Sequence, residues 1–247
     1  MSLSQRDGSK AGIIDKLVAH RGDHEVFVEN TLAAFQQASE AGALFAECDI
    51  QFTKDFIPIV FHDANLKRLY LMDFAVSELN WLDINALGTL YQIPKLSQLL
   101  VWLEQQPEIT LFLEVKPDIL QRLAADEVAN LLSAMMTGHL RNQIVLISES
   151  VQILEASAVK LGCAIGWVAE GGDKLSIFLE QKMAYIFMHV DDMEQTQFWQ
   201  QKGVKVGIYT INDAPRVHEL LERGVDLIET NHFSRILREI GGADVEN

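Results

Sequence analysis

The sequence is poor in cysteine and has no long apolar run, and both absences limit the classes of protein to which it can belong. Two cysteines, Cys48 and Cys163, among 247 residues cannot form a disulfide framework and are typical of a reducing compartment. No uncharged apolar run reaches the roughly 18 residues that a transmembrane helix needs. The first 12 residues are polar and lack the apolar core of a signal peptide. We therefore expect a cytoplasmic protein with an N-terminal tail at residues 1–12.

Positive charge is also scarce, because 20 lysines and arginines stand against 35 aspartates and glutamates, giving a formal net charge of −15. This balance argues against binding to nucleic acid or to an anionic membrane, since both need a basic surface. Salt screens distant surface charges over roughly 8–10 Å, so the local field in a cleft decides whether an anionic small molecule binds. The acidity therefore raises the need for a cation at any phosphate site. The oligomeric state is not set by the sequence.

Predicted strands alternate with predicted helices along most of the chain, which indicates parallel βαβ units. Eight such strands in about 240 residues favour a closed TIM (β/α)₈ barrel, a fold that typically takes about 250 residues. The predicted barrel strands are Leu17–His20, Phe45–Phe52, Thr110–Val115, Gln143–Ile147, Ala164–Val168, Ala184–Met188, Lys205–Tyr209 and Leu227–Glu229. An open doubly wound sheet is the alternative, but no GxGxxG loop follows the first strand.

Residues 63–93 interrupt this alternation after the second strand. We interpret them as a small inserted subdomain with one helix near Val76–Ala86, within a single barrel domain that spans residues 13–247. The short apolar segment Ile57–Phe61 before it is predicted to be an extra strand outside the barrel.

Charged side chains follow several predicted strands at their carboxyl ends, where the active site of such a barrel lies. His20 ends the first strand, and His62 follows the extra strand. Glu47 and Asp49 are two residues apart, so both side chains point to the same face of their strand. Glu114 lies near the end of the next barrel strand. These side chains are therefore predicted to meet at one barrel mouth.

Glu47, Asp49 and Glu114 would repel one another at a shared mouth. At about 4 Å and an effective dielectric constant near 20, each pair costs on the order of 4 kcal/mol. The carboxylates would have to take up protons, spread apart or share a cation. Oxygen ligands favour a hard divalent ion, Mg²⁺ or Ca²⁺ and also Mn²⁺. Cys48 points to the opposite face of the strand, so a cysteine-rich zinc site is not indicated.

Basic and titratable residues near the same mouth suggest what the site binds. Arg21 and Lys116 beside a cation form a pocket for a phosphoryl group. The two histidines supply proton transfer near neutral pH. Tyr209 and Asn212, near the end of the seventh barrel strand, offer an aromatic wall and a polar group. Each feature alone is common at structural positions, but their occurrence together at strand ends indicates a metal-assisted phosphoryl-transfer site.

These motifs resemble those of the glycerophosphodiester phosphodiesterase family. The matching N-terminal groups are His20-Arg21-Gly22, Glu29-Asn30-Thr31, Ala34-Phe35, Gly42-Ala43, Glu47-Cys48-Asp49, Thr53-Lys54-Asp55, Pro58-Ile59-Val60 and His62-Asp63. The later matches are Glu114-Val115-Lys116, Thr210-Ile211-Asn212, Gly224-Val225-Asp226 and Thr230-Asn231. The resemblance spans about residues 17–240 and implies a TIM barrel with a small insertion after the second strand.

The resemblance also implies a role for each matched position. The implied metal ligands for Mg²⁺ or Ca²⁺ are Glu47, Asp49 and Glu114; the catalytic residues are His20, His62, Arg21 and Lys116; and the residues near the substrate are Glu29, Tyr209 and Asn212. The two histidines would form the acid–base pair, and the arginine and lysine would hold the phosphoryl oxygens. The implied reaction is hydrolysis of a glycerophosphodiester, such as glycerophosphocholine, to an alcohol and glycerol 3-phosphate.

Several positions depart from the family pattern. Tyr209 stands where the family usually has tryptophan, and Glu149 follows Ser148 where an aromatic residue is common. The insertion keeps Arg68 but lacks the usual turn rich in threonine and glycine. Phe233 replaces a common proline. These departures concern the pocket for the glycerol or the head group, whereas the metal and acid–base set is intact.

Three other functions compete with this interpretation. A lysophospholipase D activity on single-chain phospholipids would need an apolar groove at the mouth, for which the insertion and the residues just before it supply Phe56, Leu69, Tyr70, Leu71, Met72 and Phe74. A non-catalytic phosphodiester-binding barrel would be expected to lack one of the ligands or histidines, and none is missing. A sugar-phosphate isomerase would need a glycine-rich phosphate loop, which Thr210–Asp213 does not provide.

Overall fold

The computed structural model describes residues 12–87, 92–170 and 175–243. Within them, eight parallel strands form a barrel in the order β1-β9-β8-β7-β6-β5-β4-β2, and the pairing of β1 with β2 closes it. The strands are β1 (Leu17–His20), β2 (Phe45–Phe52), β4 (Thr110–Val115), β5 (Ile144–Ser148), β6 (Ala164–Ala169), β7 (Met183–His189), β8 (Lys205–Tyr209) and β9 (Leu227–Thr230). A short strand, β3 (Pro58–Val60), pairs antiparallel with β2 outside the barrel. The predicted TIM barrel is confirmed.

Helices cover the outer face of the barrel. They are α1 (Leu32–Glu40), α2 (Lys67–Tyr70), α3 (Trp81–Ala86), α4 (Leu96–Leu103), α5 (Ala125–Met135), α6 (Leu140–Gln143), α7 (Val151–Lys160), α8 (Ile177–Lys182), α9 (Thr196–Gln201), α10 (Ala214–Glu222) and α11 (Phe233–Ala243), with 3₁₀ turns at Val76–Glu78, Pro117–Gln121 and Val190–Gln195. Among the described residues, the structure contains no helix with the length and hydrophobicity of a membrane span.

Apolar side chains fill the lower part of the barrel interior. Alternate strand residues face inward, and among them the rings of Phe112 and Phe187 meet edge to face with centroids 4.8 Å apart. Gly207 lies against this layer, where a Cβ atom would come within 2.4 Å of the Phe187 ring. Glycine is therefore required at this position, and the polar site lies above the filled layer, at the carboxyl ends of the strands.

The segment after β3 packs over an apolar cluster of its own. Ile59, Phe61, Leu66, Val76 and Ile84 are buried together, separately from the two apolar layers of the barrel. Burial of this separate cluster lets residues 64–87 fold as short helices and turns instead of a long open loop. The structure thus has the predicted insertion after the second strand, although residues 88–91 lie outside the described part of the chain.

Two predicted helices are interrupted in the structure. The helix predicted near Val76–Ala86 is a 3₁₀ turn followed by α3, because Asn80 begins a new helix and its backbone N–H donates to the Asp83 carboxylate at 2.9 Å. The apolar spacing from Leu120 to Met135 predicts another helix, but in the structure it begins only at Ala125, after a 3₁₀ turn. The sequence also predicts a helix at Lys174–Gln181, of which Lys174 lies outside the described residues. Helices α2 and α6 are too short to give a periodic pattern.

Candidate active site

The three predicted metal ligands meet near the carboxyl ends of β1 and β4, beside the middle of the longer strand β2. The sheet register pairs His20 with Glu47, and Asp49 with Glu114. One carboxylate oxygen from each of Glu47, Asp49 and Glu114 lies within 4.8 Å of the other two. All three residues are buried and point into the barrel, because their neighbours in β2 and β4 pack against the outer helices.

The turn after β1 fixes the position of Arg21. Arg21 has φ of 57° and Gly22 has φ of 82°. A Cβ atom on Gly22 would come within 2.7 Å of Ala34, so both the backbone angle and the packing require glycine. The turn directs the Arg21 backbone N–H to Oε2 of Glu47, to which it donates a hydrogen bond of 3.0 Å.

The crowded carboxylates have strongly shifted pKa values. Burial and the neighbouring Asp49 raise the pKa of Glu47 well above its usual range. Burial, partly opposed by Lys116, raises the pKa of Glu114 to about 7. Burial acts in the same direction on Asp49, but Lys116 and Arg21 outweigh it and hold the Asp49 pKa below its usual range. Without a cation, the cluster therefore resists carrying its full negative charge.

The donor set fits a hard divalent cation. Three carboxylates from adjacent strands present oxygens within bridging distance of one ion. Oε1 of Glu47 is buried and has no hydrogen-bond partner, and an unpartnered buried acceptor is costly unless a ligand satisfies it. Oε1 of Glu229, at the end of β9, is buried and unpartnered in the same way. A cation held by Glu47, Asp49 and Glu114 would satisfy Oε1 of Glu47 and remove the mutual repulsion of these three carboxylates.

Two basic side chains already contact the predicted ligands. Lys116 Nζ lies 3.0 Å from Asp49 Oδ1 and 2.5 Å from Glu114 Oε1. Arg21 Nε lies 3.1 Å from Asp49 Oδ2. These contacts outweigh the effect of burial and raise the pKa of Lys116 above its usual range. Both groups therefore stay positively charged beside the acidic cluster, where an anionic ligand would meet them.

His20 is held with one ring nitrogen free. Its Nδ1 lies 2.8 Å from Asn231 Oδ1, which accepts only, so Nδ1 carries the proton in the neutral ring. Its Nε2 lies 3.7 Å from Glu47 Oε2. Burial, together with the charge of Arg21, lowers the pKa of His20 to about 3. The imidazole is therefore neutral at pH 7, with an unprotonated nitrogen next to the acidic cluster.

His62 approaches the same cavity from the loop after β3. Its Nδ1 lies 2.7 Å from Oδ1 of Asp63, which fixes the ring and leaves Nε2 available. The side chain is about one third exposed. It lines both the inner cavity at the mouth and an open cleft beside it. His62 therefore stands where the site meets solvent.

The inner cavity measures about 200 Å³ and contains most of the predicted site residues. From the prediction, its lining includes His20, Arg21, His62, Glu114, Lys116 and Tyr209. The Tyr209 hydroxyl lies 3.4 Å from Oε1 of Glu170, another lining residue. The adjoining open cleft has a volume of about 700 Å³ and is lined by charged residues that include Glu149 and Glu170.

Glu29 and Asn212, predicted near the substrate, are not among the lining residues of this cavity. Glu29 Oε1 accepts a hydrogen bond of 3.0 Å from Arg21, so Glu29 lies behind the arginine. Asn212 Oδ1 accepts from the Asn231 backbone N–H at 2.8 Å and from the Thr230 hydroxyl at 3.1 Å. Both residues thus contact the cavity through a neighbour.

Three residues outside the predicted set of site residues have close contacts to the site. Asn30 is of a type that often caps a helix, but Thr31 caps α1 and the Asn30 amide donates to Asp49 Oδ2 at 2.9 Å. Asn231 holds His20, and Glu229 carries a pKa raised well above its usual range by burial and by Glu114. A polar residue that ends a strand was the available signal for Glu229 and Asn231.

Parts of the chain are similar in sequence to known phosphodiesterases and lysophospholipases D. The chain is 42% identical over 72 residues to a glycerophosphodiester phosphodiesterase of Caldanaerobacter subterraneus subsp. tengcongensis, a match that covers 27% of this chain and 30% of that protein. It is 38% identical over 82 residues to the lysophospholipase D GDPD1 of Homo sapiens, covering 33% of this chain and 26% of that protein. These matches span less than a third of the length of either relative.

Solved structures share the fold at low sequence identity. A glycerophosphodiester phosphodiesterase from Parabacteroides distasonis superposes with a TM-score of 0.78 at 20% identity, over 93% of this chain and 98% of that chain. A phosphodiesterase from Oleispira antarctica, in complex with the product sn-glycerol-3-phosphate, superposes with a TM-score of 0.78 at 24% identity, over 94% and 99% of the two chains. These likenesses concern the fold alone.

A family model matches most of the barrel. Residues 20–235 match the model described as the glycerophosphoryl diester phosphodiesterase family. The matched range contains His20 at the end of β1, the strands β2 to β9, and every predicted site residue. The chain is therefore a member of the glycerophosphoryl diester phosphodiesterase family.

Proposed function

We propose that this protein is a metal-dependent phosphodiesterase that hydrolyses glycerophosphodiesters to an alcohol and glycerol 3-phosphate. The observation that supports it most is the meeting of two imidazoles, two basic side chains and a buried carboxylate cluster around one cavity. Family membership supports the same reaction class. In this proposal residues 13–247 form one catalytic domain with residues 63–93 inserted, and the protein acts in the cytoplasm.

The proposed cation site consists of Glu47, Asp49 and Glu114, and the ion is Mg²⁺ or Ca²⁺. When bound, such an ion supplies Lewis-acid stabilisation of charge on the phosphoryl oxygens. The carboxylate oxygens hold it, and the unpartnered Oε1 of Glu47 and the short spacing within the cluster support this role. All-oxygen ligation agrees with a hard ion.

Arg21 and Lys116 hold the phosphoryl group in the proposed site. Each lines the cavity and stays charged through its contact with Asp49. Donors fixed before the substrate arrives stabilise developing charge without reorganising during the reaction. Glu29 acts through Arg21, and Asn212 acts through Asn231, whereas Tyr209 forms part of the wall that meets the substrate.

The two histidines exchange protons with the reacting oxygens. His20 Nε2 accepts a proton from the attacking oxygen, which belongs either to water or to a neighbouring glycerol hydroxyl. The new phosphorus–oxygen bond forms as the bond to the alcohol breaks, and His62, as the imidazolium, gives its Nε2 proton to the leaving oxygen. Attack by water gives glycerol 3-phosphate directly, whereas attack by the glycerol hydroxyl gives a cyclic phosphate that a water molecule then opens to glycerol 3-phosphate. The exposure of His62 and its place at the open cleft support its assignment as the acid, since the alcohol leaves toward solvent.

A lysophospholipase D activity is the second candidate. Of the apolar residues in and near the insertion, Leu71 is 90% exposed, and Phe74 and Phe56 are partly exposed. Leu69, Tyr70 and Met72 instead pack on the apolar cluster of the insertion. The exposed residues offer contact area for an acyl chain, and the human relative bears the name lysophospholipase D.

A single substrate panel separates these functions. The protein is assayed with Mg²⁺ or Ca²⁺ against glycerophosphocholine, glycerophosphoethanolamine and lysophosphatidylcholine, and the released alcohol and phosphate ester are identified. Faster release of glycerol 3-phosphate from the first two supports the main proposal. Faster turnover of the lysolipid supports the second candidate. Binding of these diesters without turnover would instead identify a non-catalytic barrel.

A further inference from the structure

Arg68 connects the insertion to the barrel through two carboxylates. It lies on α2, and its guanidinium contacts Glu29 at the end of the loop after β1. It also contacts Asp63, the residue that holds His62. Residues 29 and 68 are far apart in the sequence, so this connection exists only in the folded protein.

The contacts of Arg68 are short and use the full width of its guanidinium group. NH1 donates to Glu29 Oε2 at 2.8 Å, and NH2 donates to Glu29 Oε1 at 2.6 Å. On the other side, Nε donates to Asp63 Oδ2 at 2.7 Å, and NH2 donates to Asp63 Oδ1 at 3.1 Å. Each carboxylate thus accepts two hydrogen bonds from Arg68, an arrangement that fixes its orientation as well as its distance.

This grip fixes two groups of the candidate active site. Asp63 Oδ1 accepts from Nδ1 of His62 while Arg68 holds the same carboxylate in place. Glu29 Oε1 accepts from NH1 of Arg21, which in turn contacts Asp49 through Nε. A continuous line of alternating charges therefore runs from the acidic cluster through Arg68 to the histidine on the other side of the cavity.

We propose that Arg68 is a positioning residue, which holds the His62 ring and the Arg21 side chain in their working geometry at the same time. This role rests on the proposed phosphodiesterase activity. The Asp63 carboxylate, held by Arg68, keeps the His62 proton on Nδ1 when the ring is neutral and directs Nε2 to the cavity. The Arg68 N–H groups that point to Glu29 and Asp63 already donate hydrogen bonds to these carboxylates. This favours a positioning role for Arg68 over direct binding of a substrate.

The first test is the kinetics of Arg68→Gln and Arg68→Lys with Mg²⁺ and glycerophosphocholine. We expect kcat to fall about 10–100-fold in both variants, with a much smaller change in KM, because outer contacts of this kind orient catalytic groups. Lysine keeps the charge but lacks the planar fork, so it should not restore the rate. The control is Arg223→Gln, an exposed arginine that pairs with Glu219 away from the mouth and should leave kcat unchanged.

The second test is independent of turnover. Nitrogen-15 NMR of the histidine-labelled protein, with the His62 signals assigned through His62→Gln, reports which ring nitrogen carries the proton. We expect the neutral His62 ring to be mainly protonated on Nδ1 in the unaltered protein and to be a mixture of tautomers in Arg68→Gln. Free guanidinium ion should restore part of the lost kcat in Arg68→Ala but not in His62→Ala.

The outcomes separate this role from the proposed function. An unchanged tautomer ratio in Arg68→Gln, or a rise in KM with kcat intact, would overturn the positioning role. A protein that turns over none of the diesters, but whose tautomer ratio changes in Arg68→Gln, would refute the phosphodiesterase proposal and leave the structural link intact. Comparison of melting temperatures and circular dichroism shows whether a variant is folded. If Arg68→Gln does not fold, Arg68→Lys and the guanidinium rescue decide the case.

Discussion

The backbone N–H of Arg21 donates a hydrogen bond of 3.0 Å to Oε2 of Glu47, which joins the end of β1 to the acidic cluster on β2 and β4. The side chain of the same arginine contacts Asp49 at 3.1 Å. One residue therefore contacts two of the three predicted metal ligands. Gly22 permits the turn that brings Arg21 to these two carboxylates. The backbone of the first βα loop therefore sets where the positive charge of Arg21 lies in the cavity.

The His62→Ala variant tests the proposed proton donor. We expect kcat for glycerophosphocholine to fall about 10²–10⁴-fold, since general acid catalysis typically contributes that much. The melting temperature should change little, because His62 is partly exposed and belongs to no apolar cluster of the described residues. His218→Ala, an exposed histidine on α10, is the control and should keep full activity. Full turnover by His62→Ala would remove it from the mechanism.

Metal-free protein should lose stability as the pH rises, and Glu114→Gln should reduce this loss. Folding raises the pKa of Glu114 from its usual 4.5 to about 7. The unfolded chain therefore ionises first, and the penalty on folding grows between pH 4.5 and 7 and is complete above pH 7. In chelator at pH 8, we expect the variant to be more stable by about 1–3 kcal/mol, and the two proteins to be similar near pH 4. Urea unfolding at both pH values measures this difference.

Saturating Mg²⁺ provides the control for that comparison. A cation that binds the folded cluster adds to the stability of the unaltered protein by mass action. The order of stabilities should therefore reverse, with Glu114→Gln the less stable protein at pH 8. If the free energies of unfolding of the two proteins differ by the same amount at both pH values, with or without Mg²⁺, the proposed repulsion among the carboxylates is contradicted.

Asn212→Ala distinguishes contact with the substrate from an indirect role. Loss of Oδ1 removes the hydrogen bonds to Asn231 and Thr230, so Asn231 is less firmly held against His20. We expect kcat to fall about 10–100-fold with KM nearly unchanged. Steady-state kinetics with glycerophosphocholine measure both constants. A raised KM with normal kcat would show that Asn212 contacts the substrate itself.

Gly207→Ala tests the packing below the site. The added methyl group would lie 2.4 Å from the Phe187 ring, so the ring or the strand must move. We expect a loss of about 1–3 kcal/mol in the free energy of unfolding, the usual cost of overpacking. Gly138→Ala, where nothing lies within 4 Å of the new atom, is the control. Combining Gly207→Ala with Phe187→Leu should recover part of the loss, and equal stabilities of all these proteins would contradict this packing.

Regular spacing along the sequence predicts the barrel and the acidic cluster. Glu47 and Asp49 share a strand face because side chains alternate, and parallel strands bring that face next to Glu114. Local patterns of this kind require no knowledge of distant contacts. The same reasoning predicts the ends of β8, where the predicted and observed strand bounds coincide at Lys205–Tyr209.

Contacts between distant segments are not predictable in this way. The pairing of Glu29 with Arg68 depends on how the insertion packs on the barrel, and no periodic pattern encodes it. Asparagine is common at helix caps, but Asn30 has a left-handed φ of 58° and its amide donates to Asp49. Asn212 matches a family motif, but the motif does not indicate that its Oδ1 accepts hydrogen bonds from Asn231 and Thr230. A sequence motif therefore does not specify which of its residues lines the cavity and which one holds a lining residue in place.

Metal dependence of turnover tests the central claim most directly. The protein is stripped with chelator, transferred to metal-free buffer and assayed with glycerophosphocholine while Mg²⁺ or Ca²⁺ is titrated back. We predict no turnover before the addition, recovery that saturates with the ion, and at least a 10²-fold weaker response in a Glu47→Gln variant. Full activity after exhaustive chelation, or a normal response in Glu47→Gln, would contradict the account.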